Sequence, residues 1–177
     1  MIQLRIQLRD IEPTVWRRLL VPGGVRLGKL HDVFQAGMGW EDRHLHIFRI
    51  GEATYGSQID DYPEDQLDEQ SVTVIGMLRP QRRIVYEYDF GDSWQHDVVV
   101  EDILTTGLGL QFAVCVDGQN ACPPEDCGGV SGYDHMLRVL VDPTDEDHEH
   151  YRGWLGGSFD PTAFSPAETN VSLQRLR

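Results

Sequence analysis

Apolar and polar residues alternate over the first eight positions of the chain, and a period of two is typical of a half-buried β-strand. The buried face of this strand would carry Ile2, Leu4, Ile6 and Leu8. Pro13 interrupts the alternation. The stretch "TVWRRLLVP" then predicts a second strand, which ends at Pro22 before the turn Gly23-Gly24.

The period changes in "RLGKLHDVFQAGMGW", residues 26–40, where apolar residues recur at helical spacing. We therefore predict an amphipathic helix that ends near Gly39. A strand pattern returns in residues 44–51 ("HLHIFRIG"), whereas the polar and acidic residues 52–70 predict a long surface loop.

The second half of the chain begins with a hairpin pattern. Two β-rich runs, residues 82–90 and 94–104, flank the turn residues Gly91-Asp92-Ser93. Residues 111–118 predict a further strand. Residues 119–132 contain Pro-Pro and Gly-Gly pairs, which predict a loop.

Helical patterns dominate the end of the chain, at residues 133–142, 144–155 and 165–176. Thr144 and Ser165 are the expected N-caps of the last two helices, and Pro166 suits a first helical position. This order of elements predicts one α+β domain over residues 1–177. It would have a mostly antiparallel sheet, one early helix and a helical C-terminal part.

The apolar pattern also bears on the cellular setting. No run of about 18 apolar residues is present, so we expect no membrane span. The alternating N-terminal stretch is unlike a secretion signal, which needs a continuous apolar segment. We therefore expect a cytoplasmic protein with reduced thiols.

The net charge of −14 is unevenly distributed. Residues 1–50 hold eight Lys/Arg and five Asp/Glu, a net +3, whereas residues 51–177 hold seven and twenty-four, a net −17. An acidic body repels phosphate backbones, which disfavours nucleic-acid binding. The first third of the chain carries a small set of basic residues: Arg5, Arg9, Arg17, Arg18, Arg26 and Lys29. These side chains would either bind an anion or be the solvated charges of a strand face.

The three cysteines, Cys115, Cys122 and Cys127, form a C-x6-C-x4-C pattern. Structural zinc sites use such knuckles, but a fourth ligand would have to come from a histidine or an acid. Buried free thiols and a redox or reactive role are the alternatives. The loop "ACPPEDCGG" is then a rigid connector whose acids, Glu125 and Asp126, would cap the following helix.

The histidines suggest a second metal site. His44 and His46 are two residues apart in a predicted strand, so their side chains would share a face. The hairpin turn adds Asp89, Asp92 and His96, and two imidazoles with a carboxylate can hold zinc or iron. The alternative is that the turn aspartates bond their own backbone. Trp94, like the other tryptophans, lies at an element boundary and would be core or would line a pocket.

Several segments together resemble one family, among them "LHDVFQAGMGW", "YEYDFGDSWQHDVVVE", "ACPPEDCGG" and "WLGGSFDPTAF". They are similar to the plasmid pRiA4b ORF-3-like family, whose members also occur as passenger proteins of insertion elements. The resemblance covers nearly the whole chain and implies an α+β fold. A resolvase label carried by some members finds no support in these residues, since the first serine is Ser57. We expect the sheet to gather His44, His46, Asp89, Asp92, His96, Glu125 and Asp126 at one edge.

Three functions stay open from the sequence. The first is a non-catalytic binding or accessory module for a protein partner, which would use the acidic residues 60–69. The second is a metal-dependent, hydrolase-like enzyme that uses the His/Asp group to hold zinc, iron or manganese with an open coordination position, zinc being the one cofactor that the cysteines also suit. The third is a nucleic-acid accessory protein, which the charge disfavours.

Overall fold

The computed structural model of the protein describes residues 1–57, 65–78, 83–105 and 111–176. Eight strands and five helices follow the chain within these ranges. The strands are β1 Ile2–Leu8, β2 Trp16–Val21, β3 His46–Ile50, β4 Ala53–Gly56, β5 Leu67–Asp68, β6 Arg83–Tyr88, β7 Trp94–Ile103 and β8 Val114–Gln119. The helices are α1 Leu27–Met38, α2 Val74–Met77, α3 Gly129–Val141, α4 His148–Trp154 and α5 Pro166–Gln174.

The eight strands form one sheet in the order β5-β4-β3-β6-β7-β1-β2-β8. Every neighbouring pair is antiparallel except β4 and β5, which are parallel. The fold is therefore α+β with a mostly antiparallel sheet, as the sequence predicts. Within the described ranges, no helix has the length and apolar character needed to cross a membrane.

The core lies where the apolar face of β1 meets α1. The burial of β1 alternates along its length, because successive side chains point to opposite faces of the sheet. Helix α1 buries its apolar side against the same core and ends at Gly39, whose left-handed φ of 99° closes the helix. The period of the sequence thus predicts both elements correctly.

Several local predictions are wrong. Residues 52–70 are not one loop, because β4 pairs with β3, with Tyr55 opposite Phe48, and β5 follows later. Residues 58–64 of this stretch and residue 82 of the predicted hairpin lie outside the described residues. Thr144 does not cap α4, because its amide and hydroxyl both donate to Asp142, and the helix begins at His148.

The predicted loop 119–132 is shorter than expected. Helix α3 begins at Gly129, directly after Gly128 in a left-handed conformation. No side chain caps this helix, so Glu125 and Asp126 do not have the capping role that the sequence suggests. Both acids instead bond to residues that are distant in the sequence. Glu125 accepts from the Glu41 amide and the Tyr88 hydroxyl, and Asp126 bonds to His44.

Candidate functional site

A cleft of about 820 Å³ opens beside the start of β3, and we call it the His cleft. This volume lies in the range of small-ligand sites, which is about 300–1,000 Å³. Helix α1, the β6–β7 turn and the segment around the short 3-10 helix Glu69–Ser71 form its walls. Its ionisable lining residues are Lys29, His31, Asp32, Asp42, Arg43, His44, His46, Glu69 and Asp89.

Two histidine rings stack in one wall of the cleft. The ring centroids of His31, on α1, and His46, on β3, lie 3.5 Å apart with an interplanar angle of 5°. His31 bonds through one nitrogen to the Tyr86 hydroxyl and through the other to Asp42, both at 2.8 Å. Burial lowers the pKa of His31, His46 lowers it further, and Asp42 opposes both. The His31 ring is therefore neutral at neutral pH.

His46 also forms a buried pair with a carboxylate. Its Nε2 lies 2.7 Å from Oε2 of Glu69, and the Ser57 hydroxyl donates to Oε1 of the same carboxylate at 3.2 Å. Burial raises the pKa of Glu69, but the hydrogen bond and charge of His46, with help from Ser57, bring it below its ordinary value. Glu69 is therefore a carboxylate at neutral pH.

Three carboxylates surround the other cleft histidine, His44. Its Nε2 lies 2.9 Å from Asp126 Oδ1, 3.6 Å from Asp89 Oδ2 and 3.9 Å from Glu125 Oε2. We call these four residues the carboxylate cluster. In the part of the chain that the structure describes, His44, Asp89 and Asp126 are the one group whose ligand atoms all lie within 4.8 Å of one another.

The turn between β6 and β7 fixes Asp89. Its backbone has a φ of 56°, its amide donates to the Leu45 carbonyl at 2.9 Å, and its Oδ1 accepts the Gly91 amide at 2.9 Å. Aspartate tolerates this left-handed region better than most residues because its side chain bonds locally. Its second oxygen, Oδ2, is left to face His44.

The loop "CPPED" delivers the other two carboxylates. The Trp40 indole donates to the Pro123 carbonyl at 2.9 Å, which ties the loop to the end of α1. Glu125 accepts the Glu41 amide at 2.8 Å and the Tyr88 hydroxyl at 3.0 Å. Burial, with Glu125 adding to it, raises the pKa of Tyr88, so the phenol keeps its proton and donates. The loop is thus a rigid connector that also carries functional groups into the cluster.

Two residues expected at this site, His96 and Asp92, lie elsewhere, and Trp94 has the core position that is one of its two expected places. His96 is fully buried on the core face of β7, and its Nδ1 donates to the Tyr86 carbonyl at 3.2 Å. Burial lowers the pKa of His96 to about 3, so the ring is neutral. Trp94 is 1% exposed and is a core residue. Asp92 accepts the Gly128 amide at 3.1 Å and lines a separate concavity of about 710 Å³.

The cysteines do not join a cluster of three or more metal-ligating side chains among the described residues. All three thiols are free, and Cys115 and Cys127 are buried. Burial raises the pKa of each thiol, to about 12 for Cys127. They are therefore protonated, weakly nucleophilic side chains.

Arg17 is buried rather than surface-exposed. Its guanidinium donates to the carbonyls of Gly37, Trp16 and Gln119 and stacks on Phe164, with 4.2 Å between the Cζ atom and the ring centroid. Burial lowers its pKa. These bonds join α1, β2 and β8, so the residue organises the fold and does not present a charge to solvent.

The sequence interpretation missed His31, Asp42 and Glu69. A signal exists for His31, because it lies four residues after Leu27 on the apolar side of α1, and Leu27 and His31 are both buried. Glu69 carries no such signal. It lies in an acidic stretch and is buried only because His46 binds it.

The fold and the cleft define a class of protein with a mostly antiparallel open sheet and a polar cleft between its first helix and the turn that joins β6 to β7. The chain belongs to the family described as plasmid pRiA4b ORF-3-like protein, whose sequence pattern matches residues 1–168.

Two relatives extend this comparison. The chain is 32% identical over 178 aligned residues to the uncharacterized protein y4hQ of Sinorhizobium fredii, covering 99% of this chain and 91% of the relative. The crystal structure of MM3350 from Methanosarcina mazei Go1, a protein of unknown function, is similar with a TM-score of 0.86 and 35% identity. That match covers 94% of this chain and 96% of the other. The names of both relatives state no activity.

Proposed function

We propose that the chain is a non-catalytic binding module that receives a segment of a basic protein partner in the His cleft. The observation that carries this proposal is the cleft itself, which is large and is lined by side chains that the fold holds in fixed positions. Preorganised polar groups are typical of a binding site, because little ordering is needed when the ligand arrives.

The charge of the chain indicates the partner. A net charge of −14 attracts a basic surface over long distances and repels an acidic one. At the rim of the cleft, Leu45 and Phe90 are each 44% exposed and offer apolar contact area to a bound segment. Residues 60–64 of the acidic stretch lie outside the described residues. Glu69 already binds His46, so the cleft rather than that whole stretch is our candidate contact.

The lining of the cleft supports binding over covalent catalysis. Among its described lining residues, Ser57 is the one with a hydroxyl or thiol, and this hydroxyl donates to Glu69 rather than to a histidine. A serine nucleophile needs a base that accepts its proton, and an already hydrogen-bonded carboxylate of lowered pKa is a weak one.

A metal-dependent, hydrolase-like enzyme is the second candidate. It is favoured by the His46–Glu69 pair, which lies in the same cleft as His44 and Asp89 of the carboxylate cluster and resembles an acid–base pair. It predicts hydrolysis of p-nitrophenyl esters or p-nitrophenyl phosphate with added Mn²⁺, lost in Glu69→Gln. No turnover of either compound above the metal-only rate would remove this candidate.

A nucleic-acid accessory role ranks last. Besides the repulsive net charge, cations of the basic set already have partners: Arg9 with Asp97, Arg18 with Glu101, and Lys29 with Asp32.

The three free thiols fit a reducing compartment, so we place the protein in the cytoplasm as part of the proposal.

The test measures peptide binding to a blocked cleft. Labelled peptides of about eight residues, one rich in Lys/Arg and one in Asp/Glu, are titrated by fluorescence anisotropy with wild type, Leu45→Arg and Val171→Arg. Val171 lies on α5 outside the cleft and is 53% exposed, so it controls for the added charge. We expect the basic peptides to bind, with affinity about tenfold weaker, or 1.4 kcal/mol, in Leu45→Arg alone. Equal affinity in all three proteins, or no binding of basic peptides, would refute the proposal.

A further inference from the structure

The carboxylate cluster has an arrangement that the proposed binding role does not require. Three carboxylates approach one imidazole nitrogen, at 2.9, 3.6 and 3.9 Å. The carboxylate oxygens of Asp89 and Asp126 lie within 4.8 Å of each other. Like charges this close repel one another, and a nearby positive charge relieves the repulsion. The nearby guanidinium of Arg43 lies 3.9 Å from Asp126 and also pairs with Glu41, so it is shared.

A second observation points into the centre of the cluster. The Asp89 side chain is 10% exposed, and its Oδ1 is fully occupied by the amides of Gly91 and Asp92. Its Oδ2 has no hydrogen bond among the described residues, and its neighbour is His44 Nε2 at 3.6 Å. A carboxylate side chain that is nine-tenths buried is costly unless it is paired or coordinates a metal ion.

We propose that His44, Asp89 and Asp126 bind one divalent transition-metal ion, with Glu125 as a fourth ligand. The ligand atoms of the first three residues all lie within 4.8 Å of one another. Ligands bound to one ion at about 2.1 Å lie about 3–4 Å apart, so side-chain movements of less than about 1 Å complete the site. One imidazole with carboxylates suits Mn²⁺, Fe²⁺ or Zn²⁺.

The surrounding structure provides the support that metal ligands need. Glu125 is held by the Glu41 amide and the Tyr88 hydroxyl, and Asp89 is held by the backbone of its own turn. Hydrogen bonds of this kind orient ligands before the ion arrives. The ion would join three separate segments: the residues before β3, the β6–β7 turn and the "CPPED" loop.

The position of the site gives the ion a role in binding. His44 and Asp89 line the His cleft, whereas Glu125 and Asp126 line a concavity of about 420 Å³, and Arg43 lines both. An ion bound by these residues would hold the linings of the two spaces together. This inference is independent of the partner in the proposed function, because the ion alone occupies the cluster.

The experiment is a metal titration of the full chain without any partner. Protein freed of metal with EDTA and then dialysed is titrated with MnCl₂ and with ZnCl₂ by isothermal calorimetry. The proteins are wild type, Asp126→Asn, His44→Gln and Asp134→Asn. Asp134 lies on α3 and pairs with Arg138, so its variant makes the same charge change as Asp126→Asn outside the cluster. Thermal melting in EDTA first establishes that each variant is folded.

We expect one equivalent of metal in wild type and in Asp134→Asn, and an affinity at least about tenfold weaker in Asp126→Asn and His44→Gln. No binding to wild type, or the same affinity in all four proteins, overturns the inference. Because the peptide titration described above uses a different ligand and different variants, either proposal can fail while the other stands.

Discussion

His96 gives a quantitative prediction about stability. Its imidazole is fully buried among Tyr86, Trp40 and the core face of β7, and burial lowers its pKa to about 3. In the unfolded chain the same group has a pKa of about 6.5. As the pH falls below about 6.5, the unfolded chain therefore takes up a proton on His96, whereas the folded protein does not.

The sign and size of the effect follow by linkage. A group whose pKa is depressed in the folded state contributes stability above its unfolded pKa, and this stability is lost as the pH falls toward about 3. At pH 5.5 the unfolded imidazole is about ten times more protonated than not. The free energy of unfolding therefore falls by about 1.4 kcal/mol relative to pH 7.5, and by about 2 kcal/mol at pH 5.0.

The assay is urea unfolding, followed by tryptophan fluorescence, at pH 7.5, 6.5 and 5.5. His96→Phe removes the titrating group, so its loss of stability over this range should be about 1.4 kcal/mol smaller than that of wild type. His150→Phe, at an exposed position on α4, is the control and should keep the wild-type pH dependence. An identical pH dependence in His96→Phe and wild type would show that the folded state accepts the proton, which would refute the assignment of His96 to the core.

Three further predictions concern other buried groups. Glu69→Gln should cost about 1–3 kcal/mol at pH 7. The lowered pKa of Glu69 gives a stabilisation that is complete above the unfolded pKa of about 4.3 and is lost as the pH falls through the lower folded pKa. Urea unfolding should therefore show this cost shrinking as the pH falls below about 4.3. Gly132→Ala should destabilise the fold by about 1–3 kcal/mol, because the new Cβ would lie 1.9 Å from the Cys127 carbonyl oxygen. Gly153→Ala has open space around it and should stabilise the fold by about 0.5–1 kcal/mol. Thermal melting of the two variants measures both effects. The native thiols, with Cys127 at a pKa of about 12, should react with Ellman's reagent at least about a hundredfold more slowly than in urea, and comparable rates would contradict their burial.

Period and composition predict most of the fold. The alternation of β1 and the helical spacing of α1 arise from contact with one core, so they are visible in the sequence itself. The same alternation places His96 with Trp94, Val98 and Val100 on the buried face of β7. That signal was sufficient to remove His96 from the metal-ligand candidates.

Long-range pairing explains what the sequence could not predict. The acidic residues 52–70 look like a loop because nothing local indicates that β4 pairs with β3. The carboxylate cluster joins His44 to Asp126, which is 82 residues away, through a loop whose side chains follow no period. Composition names these residues as candidates, but only the topology decides which of them meet.

The central claim is that the His cleft is the binding site, and chemical-shift mapping tests it most directly. The amide resonances of ¹⁵N-labelled protein are recorded with and without the Lys/Arg-rich peptide. We predict shifts at residues 44–46 and 90, and none at residues 130–134 in the concavity next to α3. Shifts confined to residues 130–134, with the cleft unchanged, would contradict the account.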